Sequence, residues 1–185
     1  MIDDLLKQAN SKMNYSLEHL KESLGKLRTG RASLAIFEGL KVDYYGNPTP
    51  LNQVATLGVP DSQTITIQPW DANALKDIEK ALQSSDLGLT PNNDGKMIRL
   101  SVPPMTQDRR KEVVKVVKKY AEECRVAVRN VRREINDKIK AAEKNHEVSE
   151  DESHKAHDET QKITDNHVKE VDKITAAKEK DVLEA

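Results

Sequence analysis

Four arginines lie close together in the stretch EECRVAVRNVRREIND, which covers residues 122–137. They occupy positions 125, 129, 132 and 133, so a helix would carry them on neighbouring turns. The planar guanidinium group forms paired hydrogen bonds with phosphate oxygens, and this is the chemistry that the residue type suits. Like charges at these spacings repel each other and destabilise a helix slightly. A partner with distributed negative charge would explain why one segment holds all four.

On a helical wheel, the positive charges form one band, here called the basic stripe. With about 100° per residue, its members lie within about 60° of Lys118. They are Lys111, Lys118, Arg125, Arg129, Arg132, Lys140 and, at the edge, Arg133. The stripe lies about a third of a turn away from the apolar face of the same helix. Packing through the apolar face would therefore leave the stripe available to a partner.

The same residues also allow a simpler interpretation, a solvated face held by ion pairs. Glu122 could pair with Arg125, and Glu134 with Lys138, each pair contributing only about 0.2–0.5 kcal/mol. If the stripe serves a partner, the candidates are nucleic acid, an anionic membrane surface and the acidic residues 150–159 of the chain itself.

Structured RNA fits the stripe best among the external partners. A membrane-bound helix places Trp, Phe or Leu beside its basic face, whereas the apolar face here is needed for packing. Proteins that bind single-stranded nucleic acid stack its bases on aromatic side chains, and the chain is only 3% aromatic. A rigid row of arginines suits the fixed phosphate positions of folded RNA.

Charge is uneven along a chain whose net charge is only −1. Residues 105–148 carry 13 basic and 8 acidic side chains, whereas residues 149–185 carry 6 and 11. A composition that is 33% charged fits long solvated helices better than a thick globular core. The nearly neutral total hides a basic segment followed by an acidic one.

Three long amphipathic helices are predicted to position the stripe. The first has apolar residues at steps of three and four and is expected to end at Gly30. The second begins after Thr106 and runs for roughly 40 residues, and the third begins after Ser149, because both residues suit an N-cap. The seam of the third is predicted from Ile163, His167, Val171, Ile174 and Val182. The short connection between the last two helices indicates an antiparallel three-helix bundle, built from 1–30 and 105–185.

Residues 31–104 have the pattern of a separate, inserted domain. LKVDYYG, QVATLGV, QTITIQPW and MIRLSVP are typical of short strands, and YGNPTP and NNDG are typical of turns. DANALKDIEKALQSS predicts one helix capped by Asp71. We therefore predict an α+β protein in which a small β/α/β domain is inserted into a three-helix bundle.

Two crossings join the predicted domains, at 30–31 and at 103–104. Gly30 and Arg31 form the first crossing, and Pro103 and Pro104 form the second. Pro104 lacks an amide hydrogen and biases Pro103 toward extended geometry. Two adjacent single-strand crossings predict a hinge, since domains with small contacts can rotate.

Motifs for enzyme chemistry and metal binding are lacking. Neither G-x-x-x-x-G-K-[ST] nor G-x-G-x-x-G occurs. Cys124 lies on the apolar seam and is interpreted as a core residue, while His154 and His157 are interpreted as part of an acidic helix start rather than a metal site. No apolar run approaches the roughly 18 residues of a membrane span, and the acidic start MIDDLLKQANSK does not resemble a signal peptide. We expect a cytoplasmic protein without a catalytic site, cofactor, metal, membrane partner or small-molecule substrate.

Five segments resemble the ribosome recycling factor family of bacterial type, in matching order and spacing. They are LRTGRAS at 27–33, YYGNPTPLNQVA at 44–55, SDLGLTPNNDGKMIRL at 85–100, PPMTQDRRKE at 103–112 and RVAVRNVRREIND at 125–137. The resemblance covers essentially the whole chain. Two departures, at Gln107-Asp108 and at Glu134, leave the arginines unchanged.

The resemblance implies an L-shaped two-domain protein that binds the large ribosomal subunit after termination. With elongation factor G and GTP hydrolysis by that partner, the family splits the ribosome into subunits and frees mRNA and tRNA. The factor itself has no catalytic activity, and we expect it to be a monomer. The bundle would hold ribosomal RNA while the smaller domain moves.

The resemblance also assigns roles to residues. By the match of motifs, the RNA contacts fall on Arg129, Arg132 and Arg133. Supporting candidates near the hinge are Arg28, Arg31, Arg109 and Arg110, and the stripe adds Arg125 and Lys118. The alternative function is a coiled-coil scaffold or co-chaperone whose stripe meets acidic protein partners. Binding to purified ribosomal RNA or ribosomes discriminates between the two.

Overall fold

The computed structural model describes residues 1–184 and consists of two compact units. The helical unit comprises Met1–Leu27 and Lys111–Leu183, and the mixed unit comprises Arg28–Arg110. Three long helices form the first, while six short strands and one helix form the second. The predicted fold class, α+β with a three-helix bundle and an inserted β/α/β domain, is confirmed.

The bundle consists of α1 (Ile2–Gly25), α3 (Gln107–Lys144) and α4 (Glu150–Glu184). Helix α3 runs antiparallel to α1, because Lys12 bonds to Glu134 while Lys138 bonds to Gln8. At about 1.5 Å per residue, α3 is about 57 Å long. It is the continuous element on which the basic stripe lies.

Helix α1 ends earlier than the sequence predicts. Its last residue is Gly25, and the amide of Leu27 donates to the carbonyl of Leu24 in a tight final turn. Gly30 has the expected positive φ of 75°, but it lies in the loop beyond the helix. Gly25 favours this early end, because glycine destabilises a helix by about 1 kcal/mol relative to alanine.

The ends of α3 and α4 follow their sequence signals. The amide of Arg109 donates to Oγ1 of Thr106 at 3.2 Å, so Thr106 caps α3 as predicted. At the start of α4, the amide of Glu152 donates to Oγ of Ser149 at 3.2 Å. The amide of Ser149 in turn donates to the Glu152 carboxylate at 2.8 Å, and this bond lowers the pKa of Glu152.

The turn between these two helices is closed by backbone geometry. His146 takes a φ of 58°, and its amide donates to the carbonyl of Glu143 at 3.0 Å. The next amide, of Glu147, donates to the carbonyl of Ala142 at 2.9 Å. This pattern ends a helix with a left-handed residue and satisfies its last carbonyls. It reverses the chain, so α4 runs antiparallel to α3.

The buried face of α4 is more polar than its pattern predicts. His167, Val171 and Val182 are buried as predicted, but Ile163 and Ile174 are only half-buried. The polar residues that are buried beyond the prediction are Ser153, Thr160, Thr164 and Thr175. The three threonine hydroxyls donate to the carbonyls four residues earlier, which satisfies them inside the core. The predicted seam of α4 is therefore correct at three positions and wrong at Ile163 and Ile174.

The mixed unit contains two antiparallel sheets and one helix, α2 (Leu75–Ser84). The four-stranded sheet has the order β3-β4-β6-β5, formed by Ala55–Asp61, Thr64–Pro69, Ile98–Ser101 and Pro91–Asn93. Three short 3₁₀ turns, Leu34–Phe37, Leu51–Gln53 and Ala72–Ala74, connect these elements. Asp71 caps the last of these turns rather than α2 itself.

The second sheet is a hairpin of β1 (Lys41–Tyr44) and β2 (Asn47–Pro50). The YGNPTP segment, interpreted from sequence as a turn, is thus a turn only at Tyr45 and Gly46, which both have positive φ. Strand β2 was missed because prolines are unusual in strands. Its burial is slight, as expected for an edge hairpin.

Candidate nucleic-acid interface

Arg125 is held within the bundle by two acidic neighbours. Its Nη2 lies 2.6 Å and its Nε 3.1 Å from Oδ1 of Asp172 on α4. Its Nη1 lies 3.3 Å from Oε2 of Glu122 on the preceding turn of α3. The hydrogen bond that Arg125 donates to Asp172 raises the pKa of Arg125, against the opposing effect of burial. With its side chain only 23% exposed, Arg125 offers little charge to an external phosphate.

Arg129 shares the same glutamate but is more accessible. Its Nη1 lies 3.5 Å from Oε1 of Glu122, and 45% of the side chain is exposed. One carboxylate therefore partly neutralises both Arg125 and Arg129. The simpler interpretation of the stripe, an ion-paired face, is confirmed for the pair of Glu122 and Arg125.

A second predicted ion pair lies on the side of α3 that meets α1. Nζ of Lys138 lies 3.0 Å from Oε1 of Glu134, as predicted, and Nζ of Lys12 lies 2.6 Å from the same atom. Hydrogen bonds from Lys12 and Lys138 lower the pKa of Glu134. This network joins two helices and leaves the basic stripe untouched.

Arg132 and Arg133 have no acidic partner among residues 1–184. Nη1 of Arg132 lies 3.5 Å from the amide oxygen of Gln161 on α4, at the long limit of a hydrogen bond. The side chain of Arg133 is exposed, and no hydrogen bond or ion pair within the described part of the chain engages it. Lys118 is also exposed. Positive charge on this helix is therefore most available near Arg132 and Arg133.

One turn beyond these arginines, a hydrogen bond joins α3 to α4 where no carboxylate takes part. Nδ1 of His157 lies 2.8 Å from Oδ1 of Asn136 and donates to it. Nε2 of His154 lies 3.9 Å from Glu150, at the exposed start of α4. Across residues 1–184, no group of three or more His, Cys, Asp or Glu side chains could hold a metal ion.

The four supporting arginines belong to the mixed unit. Nη2 of Arg28 donates to the carbonyl of Asp86 at 3.2 Å and also to the carbonyl of Leu87. Arg31 is exposed in the loop that follows α1. Arg109 and Arg110 lie in the first turn of α3, where their amides donate to Thr106. The structure therefore groups only the members of the basic stripe on one face of the helical unit.

The predicted hinge residues lie in two connecting segments of the chain that contact each other. Gly30 is buried, and a Cβ atom built on it would lie 3.1 Å from the amide nitrogen of Met105. Such a distance is tight, so glycine is required for this approach. Pro103 and Pro104 precede Met105 and are exposed. The two crossings therefore pass side by side within the mixed unit.

Sequence reasoning missed the residues of α4 that distinguish one arginine from another. Asp172 neutralises Arg125, and Gln161 lies beside Arg132, although both are far from α3 in sequence. The net negative charge of residues 149–185 signalled an acidic neighbour. It could not specify which arginine the acid would meet, because that depends on the register of the two helices.

Cys124, which lies on the predicted apolar seam, has the surroundings of a core residue. Cys124 is buried and 3.4 Å from the carbonyl oxygen of Ser16, and burial raises the pKa of its thiol. A raised pKa disfavours the thiolate, so the core interpretation of Cys124 stands. A search of residues 1–184 finds no helix that is long and apolar enough to cross a membrane.

Comparison with known proteins identifies the family of the chain. The family model described as "Ribosome recycling factor" matches residues 20–183. Two curated proteins named "Ribosome-recycling factor" are similar over 184 residues. The one from Desulfatibacillum aliphaticivorans is 53% identical, with 100% of both chains covered. The one from Syntrophus aciditrophicus (strain SB) is 54% identical, with 100% of this chain and 98% of the relative covered.

Two solved structures are also similar. The solution structure of a ribosome recycling factor has a TM-score of 0.84 and 42% identity, and the alignment covers 100% of this chain and 98% of that one. A second, with a TM-score of 0.69, 48% identity and 99% of both chains covered, is the T. thermophilus ribosome recycling factor. It is described together with E. coli elongation factor G, bound to the E. coli post-termination complex. Sequence and structure together show that this chain belongs to the ribosome recycling factor family.

Proposed function

We propose that this protein recycles ribosomes after translation terminates. It binds the post-termination ribosome and, with elongation factor G and GTP hydrolysis by that partner, splits it into subunits and releases mRNA and tRNA. The single observation that carries the proposal is the pair Arg132 and Arg133, which lies on a rigid helix without an acidic partner among residues 1–184. The T. thermophilus relative described with elongation factor G on a post-termination complex supports it.

The helical unit acts as the anchor by binding ribosomal RNA of the large subunit. Arg129, Arg132 and Arg133 are the main phosphate contacts, because they are the arginines of the stripe with the most accessible charge. Arg125 and Lys118 flank these contacts. Arg31, Arg109 and Arg110 add positive charge from the mixed unit, as does the guanidinium of Arg28, whose Nη2 already donates to two carbonyls. Each phosphate contact should add roughly 0.7–0.9 to the slope of log affinity against log salt.

The mixed unit acts as the moving part. Elongation factor G would displace it about a hinge in the two crossings, which contain the predicted residues Gly30, Arg31, Pro103 and Pro104. Connecting segments can absorb such a rotation in a few backbone angles. The displacement strains contacts between the ribosomal subunits while the helical unit stays bound to RNA. In this mechanism the protein performs no bond chemistry and acts as a monomer in the cytoplasm.

The test is the conversion of post-termination ribosomes to free subunits with elongation factor G and GTP, comparing wild type with Arg132→Ala. We expect the wild-type protein to split ribosomes and the variant to fail through weaker ribosome binding. Circular dichroism and thermal unfolding serve as the control, because a half-buried arginine without an acidic partner should contribute little to stability.

Two other results would overturn parts of the proposal. A variant that binds and splits normally would show that Arg132 is a solvated residue and would move the anchor to another part of the chain. A wild-type protein that neither binds nor splits ribosomes would reject the recycling function and favour a scaffold that binds acidic proteins.

A further inference from the structure

The guanidinium of Arg28 makes hydrogen bonds to backbone carbonyls, which a residue that binds RNA phosphate would not need. Arg28 lies three residues after the end of α1, and its Nη2 donates to the consecutive carbonyls of Asp86 and Leu87. These carbonyls belong to the loop that follows α2. Nη2 is therefore bonded to backbone of the mixed unit, although the side chain as a whole is exposed.

The loop has a shape that accommodates this contact. Gly88 follows the two carbonyls with a φ of 64°, and a Cβ atom built on it would lie 3.4 Å from Nη2 of Arg28 and 3.5 Å from Nη1. Glycine adopts this backbone conformation at no cost, whereas other residues are strained there. A Cβ atom at these distances makes ordinary van der Waals contact with the guanidinium, so a larger residue at position 88 would strain the loop through its positive φ rather than through a clash.

Two further contacts tie the same strand to the mixed unit. Gly30 packs against Met105, and the amide of Ala32 donates to the carbonyl of Ser62 at 2.7 Å. Residues 28, 30 and 32 are thus each attached to the mixed unit. Lys26 and Leu27, immediately before them, follow the last residue of α1, and their amides donate to carbonyls of that helix.

We propose that Arg28 is a positioning residue for the hinge rather than a phosphate ligand. Together with the carbonyls of Asp86 and Leu87 it forms what we call the Arg28 clasp. The clasp makes residues 28–32 part of the mixed unit and moves the bend of the first crossing from the predicted Gly30 and Arg31 to Lys26 and Leu27, just before the boundary between the two units. When a partner displaces the mixed unit, residues 28–32 then move with it as one rigid segment. This inference rests on the proposed recycling function only for its consequence on the ribosome.

The choice of arginine allows the two roles to be separated. A lysine at position 28 keeps the positive charge that a phosphate contact needs. It lacks the planar guanidinium group, whose fixed N–H donors reach the two carbonyls. Gly88→Ala disturbs the clasp without removing any charge. Gly95→Ala is its matched control, because Gly95 also has a positive φ, of 92°, but a Cβ atom built on it would have no neighbour within 4 Å.

The first measurement uses the free protein, so it does not depend on ribosome activity. Hydrogen exchange of the Ala32 amide reports whether the strand stays attached to the mixed unit. We expect Arg28→Ala, Arg28→Lys and Gly88→Ala to speed this exchange by about tenfold, as for the loss of one charge-assisted hydrogen bond. Gly95→Ala should leave it unchanged. Wild-type exchange rates in all four variants would overturn the clasp.

Spin labels at exposed positions 7 and 68, in a Cys124→Ala background, then report the spread of distances between the two units. We expect the spread to widen in the three clasp variants and to stay unchanged in Gly95→Ala. A spread that is the same in all variants would also overturn the proposal, because bending would then not depend on Arg28.

Ribosome assays then distinguish the two roles. If Arg28 is a clasp, all three clasp variants bind ribosomes with the wild-type salt slope but split them more slowly. If Arg28 is a phosphate ligand, Arg28→Ala alone loses about 0.7–0.9 of the slope, while Arg28→Lys and Gly88→Ala behave as wild type. That result would overturn the clasp. A wild-type protein that fails to split ribosomes would reject the recycling function but leave the free-protein result intact.

Discussion

Two arginines of the basic stripe have the same chemistry but different surroundings. Arg125 is 23% exposed and bonded to Asp172 and Glu122, whereas Arg133 is exposed and has no such partner within residues 1–184. The two arginines are separated by only eight positions on one helix. Their difference arises from α4, which places a carboxylate beside one and none beside the other. A row of like charges on a helix is therefore not a uniform binding surface.

The largest expected effect comes from the accessible end of the stripe. Arg133→Ala or Arg132→Ala should weaken ribosome binding about 10- to 100-fold, because a hydrogen bond between charged groups is lost with little compensation. Filter binding or sedimentation at several salt concentrations measures this. The salt slope should fall by about 0.7–0.9 for each variant. Affinities and slopes equal to those of wild type would contradict the proposed anchor.

The half-buried Arg125 should instead affect the stability of the fold. Arg125→Ala should lower the free energy of unfolding by about 1 kcal/mol, since it removes a partly buried pair and the packing of an arginine stem. For a chain of this size the melting temperature should fall by about 2–4 °C. Thermal denaturation with Asp172→Ala and the double variant isolates the pair. Equal losses of ribosome affinity for Arg125→Ala and Arg133→Ala would contradict the comparison.

A smaller effect should follow from releasing the arginines that Glu122 neutralises. Glu122→Gln should tighten ribosome binding about two- to threefold, because Arg129 and Arg125 lose a competing carboxylate worth roughly 0.5 kcal/mol. Titration of labelled protein onto ribosomes at low salt measures the change. Glu123→Gln, one position along and on another face, is the matched control. Weaker binding by Glu122→Gln would show that this carboxylate orients the arginines rather than competing for them.

The smallest effect concerns pH and the face of α3 that meets α1. Lys12 and Lys138 lower the pKa of Glu134, so the interaction of Glu134 with the two lysines contributes stability above the ordinary glutamate pKa. This contribution should be lost as the pH falls through the lowered pKa. Because the three groups are well exposed, Glu134→Gln should cost about 0.5 kcal/mol or less at pH 7. Denaturant unfolding from neutral to acidic pH should show the difference between variant and wild type disappearing. A constant difference would exclude the ionic origin.

Much of the fold could be predicted because its signals are local. The caps at Thr106 and Ser149 involve residues three positions apart, and the apolar spacing of α3 reflects a single helix period. The errors occurred where packing against another element decides the outcome. Strand β2 depends on pairing with β1, and the buried face of α4 depends on how the helix packs in the bundle, where threonine hydroxyls are satisfied by carbonyls of their own helix.

The sequence by itself determined that one long helix carries a band of positive charge, because side-chain direction on a helix depends only on position along the chain. Only the tertiary structure decided which of those charges remain available. Asp172 reaches Arg125 across 47 positions, and Arg28 reaches Asp86 across 58. Contacts of this kind depend on helix register and loop placement, and these are set by the packing of the whole chain rather than by any one segment.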